Sequence, residues 1–376
     1  MEPMRKALVT GSAGFVGSNL ALRLRETARW EVLEYDLHSG PGLLDEYLCQ
    51  ADVVFHLAGV NRPVDPSEFT TGNADLTRTV CEKLAARAEP PLLILSSSTQ
   101  AELDNAYGAS KRQAELEVEK YGATAGASAV VFRLPNVFGK WARPNYNSAI
   151  ATFCHNTARG LPIAIHNPDA ELRLIYIDDA VTAMIEEAEA CSTPGCRPAA
   201  GLAVHETTVG QAAETIAGFA ASRRTLTLPD FREPLVRKLY ATYLSYLPTD
   251  QFAYDLDQKS DHRGDLAEFM RGLVYGQVFV SRTKPGKVRG NHYHHTKCEK
   301  FFVLAGEAVI RFRHVLGDDV LSYPVRGEQF RVVDIPPGYT HSIENAGQTD
   351  VVVLFWATEP FDPVNPDTIF VEVERG

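Results

Sequence analysis

The chain has 376 residues, 45% of them hydrophobic and 23% charged, which is enough for two globular domains and outside the range of disordered or low-complexity chains. With 37 basic against 48 acidic residues and a net charge of −11, it lacks the basic surface that nucleic acid or an anionic membrane rewards. No apolar run is long enough to span a bilayer, the start MEPMRKALVTGSAGFVG has no signal-peptide core, and six scattered cysteines form no disulfide framework, so a cytoplasmic protein with reduced thiols is expected.

In chain order, KALVT (6–10) reads as a first strand and Phe15 to Arg25 as a helix. WEVLEYD (30–36) and ADVVFHLAG (51–59) follow as strands, and Asn73 to Ala88 as a helix. PLLILSSS (91–98) is a buried strand, Tyr107 to Tyr121 a long helix, and SAVVFRLPNVFG (128–139) another strand segment. Near-continuous apolar strands alternating with helices predict a Rossmann-like, doubly wound α/β fold with a parallel sheet covered on both faces. The stretch CSTPGCRPAAG (191–201) reads as a loop, and VGQAAETIAGFAASRR (209–224) as one more helix. After about residue 245 strand-like segments crowd together, among them YGQVFVSRT, EKFFVLAGEAVIRFRHV, QFRVVDIP and DVVVLFWAT. Glycine and proline turns separate them, which predicts an all-β antiparallel barrel or jelly roll. The expected domains are therefore residues 1–245 and 246–376.

The first strand ends in Thr10-Gly11-Ser12-Ala13-Gly14-Phe15-Val16-Gly17. Glycines at these three positions suit a tight turn, close backbone approach to a pyrophosphate, and close packing of the following helix. Asp36 ends the second strand, where an acid normally meets the adenosine ribose hydroxyls and favours NAD. Tyr107-Gly-Ala-Ser-Lys111 puts a phenol and an ammonium one helical turn apart. Hydride delivery to a ketone charges its oxygen, and a phenol can supply the proton. Its ordinary pKa near ~10 is expected to be lowered by the ammonium. Ser98, in the hydroxyl-rich run 96–99, is the expected second donor.

These motifs, with HLAG (56–59), stand in the order of the extended short-chain dehydrogenase/reductase family, which this half resembles. The resemblance implies that Leu57, Ala58 and Gly59 also border the cofactor. RLPNVFG (133–139) resembles a family stretch whose asparagine contacts the sugar nucleotide, implicating Asn136. RLIYIDDA (173–180) resembles a segment whose arginine meets the diphosphate, implicating Arg173.

In the C-terminal half, His292 and His294 share a strand face because side chains alternate. Glu299 on the next strand and His341 on a distant one complete a three-histidine, one-carboxylate set suited to Zn, Fe, Mn or Ni. His295 is expected to face outward. This pattern, with Gly306, Pro336, Gly338 and Asn345, resembles the cupins. The runs Asp261-His-Arg263-Gly264 and Arg289-Gly-Asn-His292 also resemble the metal-free sugar-nucleotide epimerase cupins, in which the aligned histidine is a base, so His292 is open as ligand or base.

Segments outside the generic motifs, such as SSSTQAELDNAYGASK (96–111), GKWARPNYNSAIATFC (139–154) and RGNHYHHTKCEKF (289–301), extend the resemblance over nearly the whole chain. The family is that of bifunctional capsular polysaccharide biosynthesis enzymes that fuse a reductase to a cupin. It implies a UDP-2-acetamido-2,6-dideoxy-hexos-4-ulose substrate, 3-epimerised by the cupin and reduced to a UDP-2-acetamido-2,6-dideoxy-L-talose. It also implies NADPH as donor, zinc in the cupin, and a homodimer; on the residues alone NADH stays open. Three rivals are a structural cupin used for dimerisation, a non-catalytic sensor of nucleotide sugar or redox state, and a dehydratase or 4-epimerase. Thr99-Gln100 after the serine run, in place of an acidic pair, speaks against a dehydratase.

Overall fold

The computed structural model of the chain describes residues 4–40, 42–124, 126–190, 193–261, 264–267, 270, 276–359 and 362–375. By packing the chain forms two compact units, Met1–Val137 with Leu172–Glu206, and Phe138–Glu171 with Thr207–Gly376. Among the described residues no helix is long and apolar enough to cross a membrane.

The first unit is built on β1 (Arg5–Thr10), β2 (Trp30–Tyr35), β3 (Val53–His56), β4 (Leu92–Ser98) and β5 (Ser128–Leu134). These pair in parallel in the order β2-β1-β3-β4-β5. Between them run α1 (Phe15–Glu26), α2 (Leu43–Gln50), a turn of helix α3 (Ser67–Phe69), α4 (Leu76–Ala85) and α5 (Ala106–Gly122). Leu8, Val54, Leu93, Leu95, Ala129 and Val131 face one side and pack on Val80, Leu84 and Val118 of the helices. Ala7, Val9, Val53, Phe55 and Ile94, on the alternate positions, are also fully buried. Both sheet faces are covered, which is why these strands read as unbroken apolar runs.

Small strands β6 (Asn136–Phe138), β7 (Glu171–Tyr176) and β9 (Val204–Thr208) form a separate three-stranded sheet. Two expectations are corrected here. Gly195–Pro198, read as loop, is β8, the sixth strand of the parallel sheet, paired with Ser128–Val131 of β5; Cys191 and Ser192 lie outside the described residues. The helix expected from Asn73 begins as a π-helical stretch, Thr70–Asp75, and becomes α-helical only at Leu76.

The second unit holds two antiparallel five-stranded sheets. One contains β10 (Ala253–Asp255), β18 (Arg331–Ile335), β15 (Glu299–Ala305), β20 (Val351–Ala357) and β13 (Gln277–Thr283), in that order. The other contains β17 (Val320–Arg326), β16 (Glu307–His314), β19 (Tyr339–Asn345), β14 (Val288–Tyr293) and β21 (Ile369–Phe370). A hairpin pairs β11 (Gln258–Asp261) with β12 (Gly264–Ala267). Phe301 and Phe355 of the first sheet stack edge to face, and Phe301 and Phe312 flank His341 of the second. Alternate residues of the first sheet, Lys300, Asp334 and Trp356, are buried on its other face. There Arg223 and Phe231, from or beside α8 (Val209–Thr225), meet Asp334 and Trp356. Two further helices of this unit, α6 (Ala149–Ala158) and α9 (Pro234–Ser245), pack on α8. The remaining helix, α7 (Ile177–Ala190), packs on α1 in the first unit.

Candidate functional site

The glycine loop closes the end of β1. Gly11 has φ +71, and its N–H bonds the Tyr35 carbonyl at 2.8 Å. A Cβ on Gly17 would lie 2.0 Å from the Gly11 carbonyl oxygen, so only glycine lets α1 start this close to the loop. The N-cap of α1, Gly14, makes no side-chain cap bond, and the first turn carries no acid. The leading amides of α1, with Phe15 and Val16 at its start, are therefore offered to an anion. Asp36 reaches into the same loop, its carboxylate accepting the Ala13 N–H at 2.8 Å. A backbone cradle that side chains would fill, facing a free helix N-terminus, fits a dinucleotide pyrophosphate.

Leu57, Ala58 and Gly59 are held over this loop by a hydroxyl–imidazole chain. The Thr77 hydroxyl donates to the Asn73 carbonyl at 2.6 Å, so its oxygen accepts Nε2–H of His56 at 3.0 Å. His56 Nδ1 then accepts from the Thr10 hydroxyl at 2.8 Å, and Thr10 Oγ1 accepts the Ala58 N–H at 3.3 Å. Burial, reinforced by Lys111, pushes His56 down to about 3. The ring is neutral, as this directed chain requires.

Tyr107 and Lys111 stand on α5 beside the end of β4. A Cβ on Gly108 would meet the Gln100 carbonyl oxygen at 2.2 Å, so this glycine lets α5 abut the 3₁₀ turn Thr99–Glu102. Ser98 caps that turn, its Oγ accepting the Gln100 N–H at 3.1 Å. Lys111 is buried, donates to the Ser96 carbonyl at 3.2 Å, and lies 5.9 Å from the Tyr107 ring centroid. Burial pushes Lys111 down to about 8, with Glu115 pulling the other way. The expectation of a lowered phenol is corrected. Burial pushes Tyr107 above its ordinary value, and the opposing pull comes from its hydrogen bond with Ser98, not from the ammonium. Desolvation of the phenolate outweighs a charge set beside the ring.

Residues that the sequence reading missed support this group. Asn73, turned inward by the π-helical stretch, accepts the Val60 N–H at 2.8 Å and donates to Ser110 Oγ at 2.9 Å. Glu115 accepts from Ser97 Oγ at 2.6 Å and from Arg133 at 2.8 and 2.6 Å, tying α5 to β4 and β5. Arg133 opens the RLPNVFG run, so its place in that motif was the available signal. Asn136 and Arg173 are both exposed; Asn136 Nδ2 donates to the Arg173 carbonyl at 3.3 Å, and the Arg173 guanidinium lies 3.6 Å from Glu206.

In the second unit His292, His294, Glu299 and His341 converge, with candidate ligand atoms all within 4.8 Å of one another. His292 faces His341 across the β14–β19 pair, next to a bulge between Gly290 and His292, and Glu299 enters from the other sheet. Nε2 of His294 and Nε2 of His341 each lie 3.3 Å from Glu299 Oε2. Among the described residues neither nitrogen has a hydrogen-bond partner, although both are buried. Donors about 2.1 Å from a tetrahedral ion stand roughly 3.4 Å apart, so the set fits a divalent cation. Burial, then the neighbouring imidazoles, pushes His292 down to about 3; burial also lowers His341. Against burial, His294 and His341 hold the Glu299 carboxyl well below its usual range. The lowered His292 and His341 and the ionised Glu299 are thereby in the forms that bind a cation. His295 is buried against Tyr293 and is not among the converging residues. The alternative run 261–264 includes His262 and Arg263, which lie outside the described residues.

Residues 7–195 match the NAD dependent epimerase/dehydratase family, and residues 259–369 match the polysaccharide biosynthesis C-terminal domain. The chain is 44% identical, over 99% of its length and 100% of the relative, to the UDP-2-acetamido-2,6-beta-L-arabino-hexul-4-ose reductase of Pseudomonas aeruginosa. It is similar to the crystal structure of the capsular polysaccharide assembling protein CapF from Staphylococcus aureus. The identity is 42% and the TM-score 0.66, with 98% of this chain and 100% of that one covered. The UDP-glucuronic acid 4-epimerase of Bacillus cereus, solved with NAD, shares the fold over 57% of this chain and 84% of its own, at 20% identity and TM-score 0.51.

Proposed function

The chain belongs to the NAD dependent epimerase/dehydratase family, extended by a polysaccharide biosynthesis C-terminal domain, and from that premise we propose that it is a bifunctional enzyme of UDP-sugar metabolism. It is an NAD(P)-dependent oxidoreductase. Its substrate in this reading is a UDP-2-acetamido-2,6-dideoxy-hexos-4-ulose. Residues 246–376 invert the 3-position, and residues 1–245 reduce the 4-keto group to give a UDP-2-acetamido-2,6-dideoxy-L-talose. The donor is NADPH, and the enzyme works as a cytoplasmic homodimer.

In the reductase, the Ser98 hydroxyl and the Tyr107 phenol hydrogen-bond the carbonyl oxygen. Tyr107 releases its proton as that oxygen gains charge, and Lys111 stabilises the phenolate left behind. The reduced nicotinamide, when bound, supplies the hydride. Asn136 and Arg173 take the nucleotide side of the substrate. In the barrel His292, His294, Glu299 and His341 hold a divalent cation, zinc in this reading. Such a cation would act as a Lewis acid on the carbonyl oxygen, making the neighbouring C–H acidic.

One observation carries the proposal: a dinucleotide cradle with a half-buried Tyr107 beside the buried Lys111, and a three-histidine, one-glutamate cluster with three of its four members buried, occur in one chain. The test is incubation with a UDP-4-keto-6-deoxy-N-acetylhexosamine and NADPH in deuterium oxide. Cofactor should be consumed, and the product should carry deuterium on the carbon next to the former carbonyl. Cofactor loss without label would remove the epimerase half, and no cofactor loss would remove the whole reading.

A further inference from the structure

We infer that Asp367 is a positioning residue for the barrel cluster, fixing the ring orientation and tautomer of His294 from the C-terminal segment. The inference rests on the metal-site reading above. Asp367 is 73 residues from His294 in sequence, yet its carbonyl oxygen accepts a hydrogen bond from His294 Nδ1. A carbonyl can only accept, so Nδ1 carries the proton and the Nε2 lone pair is left facing Glu299 and His341.

The Asp367 carboxylate does a second job. Its Oδ1 accepts the His295 N–H at 2.8 Å, while Oδ2 accepts the Thr296 N–H at 2.7 Å, the Thr296 hydroxyl at 2.9 Å and the Lys297 N–H at 2.8 Å. Three consecutive amides aimed at one carboxylate make a nest for negative charge. The clamped residues lie between His294 and Glu299, so the clamp sets the path of the chain joining two members of the cluster.

The segment after Asp367 is sewn to the same strand. Phe370 pairs with His292 and Ile369 with Tyr293. The Val371 N–H bonds the Asn291 carbonyl at 2.8 Å, and the Thr340 hydroxyl, beside His341, donates to the Val371 carbonyl. Asp367 is thus the first fixed point of an edge strand laid along the cluster.

The test uses the full chain, stripped of metal, with Asp367→Asn and Asp367→Ala beside the parent. Zn²⁺ affinity is measured by competition with a chromophoric chelator, Co²⁺ loading by its visible spectrum, and the His294 tautomer by ring ¹⁵N–¹H correlation in the metal-free parent. Asp367→Asn should weaken Zn²⁺ binding by roughly 10–100-fold and change the Co²⁺ spectrum, with NAD(P)H binding retained. The parent His294 should be protonated on Nδ1. A folded Asp367→Asn protein with parental Zn²⁺ affinity and an unchanged Co²⁺ spectrum would overturn the inference. So would an Nε2-protonated His294 in the parent, which decides the matter even if Asp367→Ala does not fold. A parent that takes up neither Zn²⁺ nor Co²⁺ would instead remove the metal reading itself.

Discussion

Lys111 and Tyr107 are pushed by burial in directions that suit reduction. The raised phenol keeps its proton at neutral pH and so can give it away. Lys111, lowered to about 8, is charged below that pH and loses its charge as pH rises through it. Reduction needs both the phenolic proton and the ammonium charge. The turnover rate for NADPH-dependent reduction is therefore expected to be level below about pH 7 and to fall through pH 8 and above. Lys111→Met should lower the rate by roughly 10²–10⁴-fold and remove that alkaline limb. A parental profile that stays level to pH 10 would show that Lys111 does not act as the charge beside the phenol.

At the level of elements, two strands of the barrel are joined by a buried ion pair whose removal can be weighed. Lys300 Nζ lies 2.6 Å from Asp334 Oδ1 and 2.9 Å from the Tyr254 hydroxyl, and Arg223 stands 3.4 Å from the other carboxylate oxygen. Lys300 follows Glu299 directly, so the pair holds the strand that turns Glu299 to the opposite face. Asp334→Ala strands the buried Lys300 ammonium without its carboxylate and should cost about 3–5 kcal/mol. Replacing Lys300 by Met and Asp334 by Leu together should cost much less, as denaturant unfolding would measure. Equal losses in the single and double variants would contradict the pair's role.

The elements legible in the sequence were those whose pattern is local. Buried strands β1, β3, β4 and β5 and helices α1, α5 and α8 announce themselves by apolar runs, glycine loops or helical period. Gly195–Pro198 has no such period, and it is a strand only because β5 lends it partners. The π-helical turn at Thr70–Asp75 is equally a product of packing, and with it went the role of Asn73. Of the candidate site, the chemistry-bearing residues sat in recognisable runs. The groups that hold them, Glu115, Arg133 and Asp367, are joined to their partners across 15 or more residues, which no local spacing reveals.

For the molecule as a whole, the proposed chemistry is divided. Proton exchange next to the carbonyl belongs to the barrel and needs no dinucleotide. Hydride transfer belongs to the parallel-sheet unit and needs no His341. Each function should therefore be separable by a substitution in its own unit, with the other half left at work. The central claim is tested most directly by following ketose deuteration in deuterium oxide without cofactor, then NADPH oxidation on adding it, for the parent, Tyr107→Phe and His341→Ala. Tyr107→Phe is expected to keep the label exchange and lose NADPH oxidation, while His341→Ala loses the exchange and retains NADPH binding. Parental NADPH oxidation by Tyr107→Phe, or parental deuteration by His341→Ala, would contradict it.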